Sequence, residues 1–466
     1  MAEHVSSLRK RYVPSIPNLN SSELKSLRQI FRGDQRETLQ ILFARGLSIE
    51  FDQARRLFPP FELDRLIDSG LLFEENHRIK SHFQAQWYNG LIFFSDFFRW
   101  ESDRDFVLPI GPAGNYLALL TIRRRVKSTL DLGCGCGIQS LLAARYSDKV
   151  VATDINPRAL ELTRLNAELN DIHNIETRQG NYFEPVKNQR FDLIVANLPY
   201  VIAPEKRLVY RTVEEPGDSG TYERLKEIPA YLNEGGFAQI LINWIHGNDQ
   251  NPSEPIRKTI ENKGVDVWLI HNGSKQPDEY AEMWLKHQAQ DDPHKLQELK
   301  KNWSRWYRKH HIEQIALGAI TLRRRSRDQN WFCSATVNTT LEDSAAEQFL
   351  RLFAAQDYLN EMKDINLLLK EIFVPTDLAF TGNQDQPIAY ADHGSQFEAR
   401  IHPATKIVLQ KLDGSTTLER LIQAADQQQE ILADFHELLK LGLIAPRQFI
   451  PSVVRPPADN NPANPD

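Results

Sequence analysis

The sequence predicts an α/β fold: a mostly parallel, doubly wound sheet across residues 108–325, with a smaller domain on each side. Three features predict it. Apolar strand-like segments alternate with amphipathic helical ones. A glycine-rich loop, DLGCGCG at 131–137, follows the first strand and opens a helix. An acid, Asp154, ends the next strand about 20 residues beyond that loop, the spacing at which a carboxylate holds a ribose.

In chain order the strands are STLDLG (128–133), KVVATDI (149–155), FDLIVAN (191–197), GFAQILIN (236–243) and VDVWLIH (265–271). The first connecting helix is IQSLLAARYS (138–147), with Ile138, Leu141 and Leu142 at helical spacing. The second is NPRALELTRLNAELN (156–170). Asn156 is a good N-cap, Pro157 suits the first turn, and Leu162, Leu165 and Leu169 form the inward stripe. The third, TYERLKEIPAYLNEGG (221–236), carries Pro229, which must kink or interrupt it.

The flanks read differently. Residues 1–107 form a helical, winged-helix-like domain, in which ELDRLIDSGLLFEENHRIK (62–80) is a helix ending at Gly70, an apolar segment and a charged turn. The sheet domain extends to 327. Residues 328–446 form a small α+β domain, also winged-helix-like at its end, where DFHELLKLGLIAP (434–446) repeats helix, glycine, extended segment. A helix C-capped by glycine before a strand accounts for both stretches equally well. Residues 447–466, rich in Pro, Asn and Asp, are expected to be disordered.

Composition narrows the class. A chain of 466 residues is too long for one core. It is 41% hydrophobic and 25% charged with net charge −6, which argues against a generally basic nucleic-acid coat. Three cysteines, Cys134, Cys136 and Cys333, make no disulfide framework and no zinc set, so no metal is expected. The N-terminus lacks an apolar signal region, and no run of about 18 apolar residues appears, so a membrane partner is not expected and a cytoplasmic location is.

The glycine loop has the spacing G-x-G-x-G, different from the G-x-G-x-x-G of dinucleotide sites. Glycines let the backbone approach a ligand where a Cβ would clash. Taken with ATDI and FDLIVANLPY, this loop resembles the class I S-adenosylmethionine-dependent methyltransferases, which have a Rossmann-like sheet. VLPIGPAGNYLALLTIRRRV (107–126) and NPRALELTRLNAELN resemble the HemK-like, "methyltransferase small" group. The resemblance implies S-adenosylmethionine as cofactor. Gly133, Cys134, Gly135 and Gly137 would shape the loop under its methionine part, and Asp131 would orient the ammonium. Asp154, followed by Ile155, would hold the ribose, and Asn181 and Tyr182 would lie by the adenine. The family often has Asp where Asn181 stands, and an ordinary loop accounts for GNYF as well.

The apolar strand at 191–196 ends on Asn197, Leu198, Pro199 and Tyr200. Asn and Pro are ordinary turn residues. Beside a methyl donor they do more. A planar NH2 is a poor nucleophile because its lone pair is conjugated, and two acceptors aimed at its hydrogens would hold it. Asn197 supplies a side-chain oxygen. Leu198 supplies a carbonyl, with the local backbone fixed by Pro199. Tyr200 can stack on the flat group. Families with Asp/Asn-Pro-Pro-Tyr/Phe here methylate nucleobase or glutamine amide nitrogens, and Asn-Leu-Pro-Tyr also resembles the rRNA adenine dimethyltransferases. Two macromolecular acceptors follow, a nucleobase in RNA or DNA, or a glutamine of a translation-related protein. A scaffold that binds RNA or protein without catalysis is the alternative from another class. Three basic clusters, IRRRVK (122–127), KKNWSRWYRKHH (300–311) and LRRRSR (322–327), modestly favour an anionic partner. Each alone is more simply a solvated face, and Trp303 and Trp306 fit a helix core.

Overall fold

A computed structural model describes residues 14–59, 61, 63–97, 105–204, 217–286, 293–327, 330–337, 345–375, 378–391 and 397–449. The chain divides into two compact units. One comprises residues 1–115 and 126–336 with 456–466; the other comprises 116–125 and 337–455.

The first unit begins with helix α1 (Ser21–Arg32), closed by a reciprocal capping box between Asn20 and Glu23. Then come α2 (Arg36–Leu39), β1 (Ile49–Glu50), α3 (Phe51–Leu57), α4 (Leu63–Asp68), β2 (Leu72–Glu75) and β3 (Arg78–Ser81). The strand order β1-β3-β2 makes a small antiparallel sheet. Asn76 and His77, both at positive φ, form the two-residue turn between β2 and β3. A second hairpin, β4 (Phe83–Tyr88) with β5 (Leu91–Asp96), follows it.

The central sheet has eight strands. They are β6 (Val126–Leu132), β7 (Ser147–Asp154), β8 (Ile175–Gln179), β9 (Phe191–Ala196), β10 (Leu232–His246), β11 (Val265–Lys275), β12 (Gln314–Arg324) and β13 (Phe332–Thr336). Their order is β13-β11-β12-β10-β9-β6-β7-β8. β12 alone runs antiparallel to its neighbours, β10 and β11. α5 (Pro112–Leu120) precedes β6, and the connecting helices are α6 (Ile138–Ala143), α7 (Pro157–Leu169), α8 (Ser219–Glu227), α9 (Glu254–Ile260), α10 (Pro277–Leu285) and α11 (Pro293–Lys309). The core is apolar strand surface: Leu130, Ile194, Ile240, Leu269 and Ile320 are all buried.

The doubly wound α/β sheet is as the sequence predicts, with local corrections. α6 stops at Ala143, and Ser147 already belongs to β7. Pro229, lacking an N–H, ends α8 at Glu227 and leaves a 3-10 turn, Ile228–Tyr231, so β10 starts at Leu232. β8, β12 and β13 join the five strands read from sequence.

α7 ties the sheet to the β4–β5 hairpin through buried polar groups. The Arg158 guanidinium is bidentate to Asp96 at 2.7 and 2.8 Å. Asn170 pairs with both backbone groups of Ile92, and Asn166 does the same at Phe94. Asn166 also donates to the Cys136 carbonyl at 2.8 Å, so α7 braces the glycine loop as well.

The second unit contains α12 (Ala345–Glu361), β14 (Phe373–Pro375), β15 (Leu378–Gly382), β16 (Pro387–Ala391), β17 (Glu398–Arg400), α13 (Pro403–Leu409), α14 (Leu418–Ile422), α15 (Gln428–Lys440) and β18 (Ile444–Pro446). α15 buries Ile431, Leu432, Phe435, Leu438 and Leu439. Gly442 turns the chain at φ +66°, and β18 then pairs antiparallel with β14. A 3-10 turn, Arg447–Phe449, follows; the rest of the tail expected to be disordered lies outside the described residues.

Candidate functional site

β6 lies between β9 and β7, so the chain leaves it in opposite directions on its two sides. This is the switch point where ligands bind beyond strand ends in such sheets. Leu132 of β6 pairs with Ala196 of β9. The glycine loop and Asn197 are therefore next-door neighbours, each one residue past a paired strand end.

Gly133, Gly135 and Gly137 all have positive φ, at +79°, +55° and +86°. The loop cannot be built otherwise: a Cβ on Gly137 would meet Thr163 Oγ1 at 2.9 Å, and one on Gly133 would meet Leu198 Cδ2 at 3.1 Å. The second distance places the Leu198 side chain, and with it the Asn-Leu-Pro-Tyr segment, beside the loop. A Cβ on Gly135 would meet nothing within 4 Å, so open space faces the middle of the loop. Gly133 and Cys134 N–H both donate to the Thr153 carbonyl at 2.9 Å, which fastens the loop to β7.

Asp154 ends β7. Its Oδ2 accepts from Gly135 N–H at 3.0 Å and its Oδ1 from Asn156 N–H at 2.9 Å. A carboxylate has about four lone-pair directions, so these bonds leave it acceptor capacity. Desolvation raises its pKa from the ordinary value, against those bonds. Ile155 beside it is 47% exposed, unusual for a large apolar side chain and suited to a flat ring. Asp131 is buried, and its Oδ2 accepts from Ser140 N–H and Oγ at 2.9 and 2.6 Å. Burial pushes its pKa up to about 7. The Cys134 thiol is raised well above its usual value and the Cys136 thiol to about 12, both by burial, so neither is a thiolate. Among the described residues no three His, Cys, Asp or Glu gather to hold a metal ion.

Asn181 and Tyr182 follow β8 at the same end of the sheet, because Gly180 N–H donates to the Asp154 carbonyl at 3.1 Å. Asn181 is exposed. Tyr182 has its ring under the Arg224 guanidinium, 4.0 Å from the centroid, a partner the sequence did not reveal.

Asn197, Leu198, Pro199 and Tyr200 are all half-buried. Among the described residues no hydrogen bond takes up the Asn197 amide, so its oxygen is free to accept from a bound molecule. Tyr200 packs near Trp284 of α10, with centroids 6.4 Å apart. Helices α10 and α11, inserted between β11 and β12, form an apolar cluster with Val201 and Ile202.

Three-dimensional position also sorts the basic clusters. In LRRRSR, Leu322 and Arg323 are buried in β12, and Arg323 with Arg327 pairs with the fully buried Asp266. That cluster is structural. In KKNWSRWYRKHH, Trp303 and Tyr307 are core, while Lys301, Arg305, Arg308 and Lys309 are exposed on α11. In IRRRVK, Ile122 is buried and Arg123 donates to the Ala118 carbonyl.

A doubly wound sheet carrying a glycine loop and a strand-end acid at its switch point defines the class I fold of S-adenosylmethionine-dependent methyltransferases. Comparisons agree. Residues 113–216 match the family described as Methyltransferase small domain. A putative protein N5-glutamine methyltransferase of Methanocaldococcus jannaschii is 33% identical over 144 residues, 29% of this chain and 72% of that protein. Release factor glutamine methyltransferases of Aliivibrio fischeri and Aquifex aeolicus are 32% and 34% identical, over 32% and 30% of this chain. The chain spans about half the length of those two, 55% and 52%. A solved structure, WT Trm5b from Pyrococcus abyssi, is 17% identical with a TM-score of 0.32, over 56% of this chain and 67% of its own; that likeness adds nothing to the reading of the site. The chain belongs to the HemK-like group of class I S-adenosylmethionine-dependent methyltransferases. It is an enzyme with S-adenosylmethionine as cofactor, so the scaffold alternative falls away.

Proposed function

We propose that this chain methylates the side-chain amide nitrogen of a glutamine in a protein. The observation that carries the reading is the free Asn197 amide, one residue past β9 and beside the glycine loop. The glutamine methyltransferases it resembles supply the acceptor. The loop cradle, the strand-end carboxylate of Asp154 and the exposed Ile155 fit S-adenosylmethionine. Bound there, that cofactor supplies an electrophilic methyl group on a sulfonium.

The chain's own residues do the rest. Asn197 Oδ1 and the Leu198 carbonyl accept the two amide hydrogens and orient the nitrogen, and Tyr200 covers the plane of the group. Positioning and preorganised acceptors favour transfer without a strong base. The nitrogen gains the methyl group and sheds one proton to water.

A nucleobase NH2 is the second reading, favoured by the exposed cations of α11. Incubation with methyl-labelled S-adenosylmethionine and cell extract, divided between protease and nuclease, separates the two. Label released by protease and carried on N5-methylglutamine supports the proposal. Label released by nuclease refutes it.

A further inference from the structure

Resting on that amide reading, we propose that Tyr280 and Tyr307 are positioning residues, a pair of hydroxyls that clamps the peptide of Ile202 and so sets the Asn-Leu-Pro-Tyr loop for transfer. Ile202 N–H donates to Tyr280 Oη at 3.2 Å, and Tyr307 Oη–H donates to the Ile202 carbonyl at 2.9 Å. Both backbone groups of one residue are thus held by side chains from two helices. Tyr280 is on α10 and Tyr307 on α11, and both rings are buried with the side chains of Val201 and Ile202.

The clamp is anchored to the sheet. Asn243 Nδ2–H donates to Tyr280 Oη at 2.7 Å. Asn243 is on β10, three residues past Ile240, which pairs with Ala196 at the end of β9. A closed path therefore runs from Ala196 through the acceptor loop to Ile202, across Tyr280 to Asn243, and back along β10 to Ala196.

The loop needs such a tie. Catalytic groups on loops are less well placed than those on strands, and positioning errors near 1 Å cost about a hundredfold in rate. Pro199 restrains only itself and Leu198. Just past Tyr200, the two hydroxyls hold the N–H and the carbonyl of Ile202. The α10–α11 insertion thus has an inner face that serves the reaction, whatever its cationic outer face meets.

Tyr280→Phe and Tyr307→Phe keep the rings and delete one hydroxyl each. Three measurements are made on the full chain: amide hydrogen exchange across 198–203, titration with S-adenosylmethionine, and initial rates of label transfer into extract protein at varied extract concentration. Faster exchange at Ile202, cofactor affinity within twofold of wild type and an apparent kcat lowered about tenfold to a hundredfold with little change in apparent KM support the clamp. Tyr231→Phe is the control for a half-buried tyrosine hydroxyl away from the loop. Wild-type exchange and rates in both variants overturn the proposal, as does a rate loss no larger than that of Tyr231→Phe at matched thermal stability. Wild-type protein that labels no extract protein overturns the amide reading itself and the role of the clamp with it.

Discussion

Replacing Asp154 by Ala is expected to weaken S-adenosylmethionine binding about a hundredfold. The carboxylate already accepts Gly135 N–H on one oxygen and Asn156 N–H on the other. Acceptor capacity remains for the vicinal hydroxyls of a ribose. Hydrogen bonds to a charged group contribute roughly 1.5–3 kcal/mol each, so two lost bonds would cost about 3–6 kcal/mol in isolation. Water replaces the carboxylate at this half-open site, so the lower end applies. About 3 kcal/mol is close to two decades in Kd, since each decade is about 1.4 kcal/mol. Asp154→Asn should fall between, because one oxygen survives while its NH2 faces a backbone donor. Isothermal titration at pH 8 measures both variants, with a thermal midpoint to confirm folding. A Kd for Asp154→Ala within threefold of wild type would show that Asp154 only caps the strand end, and the ribose assignment would fail.

Asn197→Ala should leave cofactor affinity within about twofold and lower transfer a hundredfold to a thousandfold, the usual loss for one preorganised polar contact at a reacting centre; extract labelling reads it, and a wild-type rate sinks the planar-nitrogen reading. Gly133→Ala puts a Cβ 3.1 Å from Leu198 at φ +79°, which costs about 1–2 kcal/mol of backbone strain. Both cofactor affinity and transfer should therefore fall about tenfold, and intact values of either would show that the loop yields freely. Cofactor affinity should also depend on pH. Burial raises Asp131 to about 7, so it is largely protonated at pH 6 and ionised at pH 8. If it faces the ammonium, only the ionised form attracts it, so affinity should rise with pH through about 7 and flatten above. Titrations of wild type and Asp131→Asn at both pH values test this, and equal pH slopes would remove Asp131 from the site. Asn166→Leu removes three hydrogen bonds between α7, the β4–β5 hairpin and the glycine loop. Buried partners left unsatisfied cost about 1–3 kcal/mol each, so a fall of several degrees in thermal midpoint is expected, and an unchanged midpoint would contradict it.

The sequence by itself determined the sheet class and made the glycine loop and the Asn-Leu-Pro-Tyr segment stand out, because each is written in contiguous residues. A strand, three glycines and a helix start occupy 126–138, and the conformations they need, with φ above +50°, are open almost only to glycine. Asp154 and Asn197 were legible for the same reason: each stands where an apolar run stops, and strand ends of a parallel sheet share one edge. Tertiary structure alone decided what those ends touch. The Leu132–Ala196 pairing that sets the two loops side by side depends on strand order, which no local pattern encodes. β12 enters antiparallel between β10 and β11 from far along the chain, and the helices ahead of it bring Tyr280 and Tyr307 onto Ile202 across 78 and 105 residues. Asn243, a polar residue in the apolar GFAQILIN strand, was a sequence sign of that contact. The basic clusters show the same limit. LRRRSR and KKNWSRWYRKHH look alike as strings, yet Arg323 is buried on Asp266 while Arg305 and Arg308 face water. Charge and period are properties of a segment, but burial and pairing belong to the segments it meets, and those contacts exist only once the chain has closed its long-range sheet.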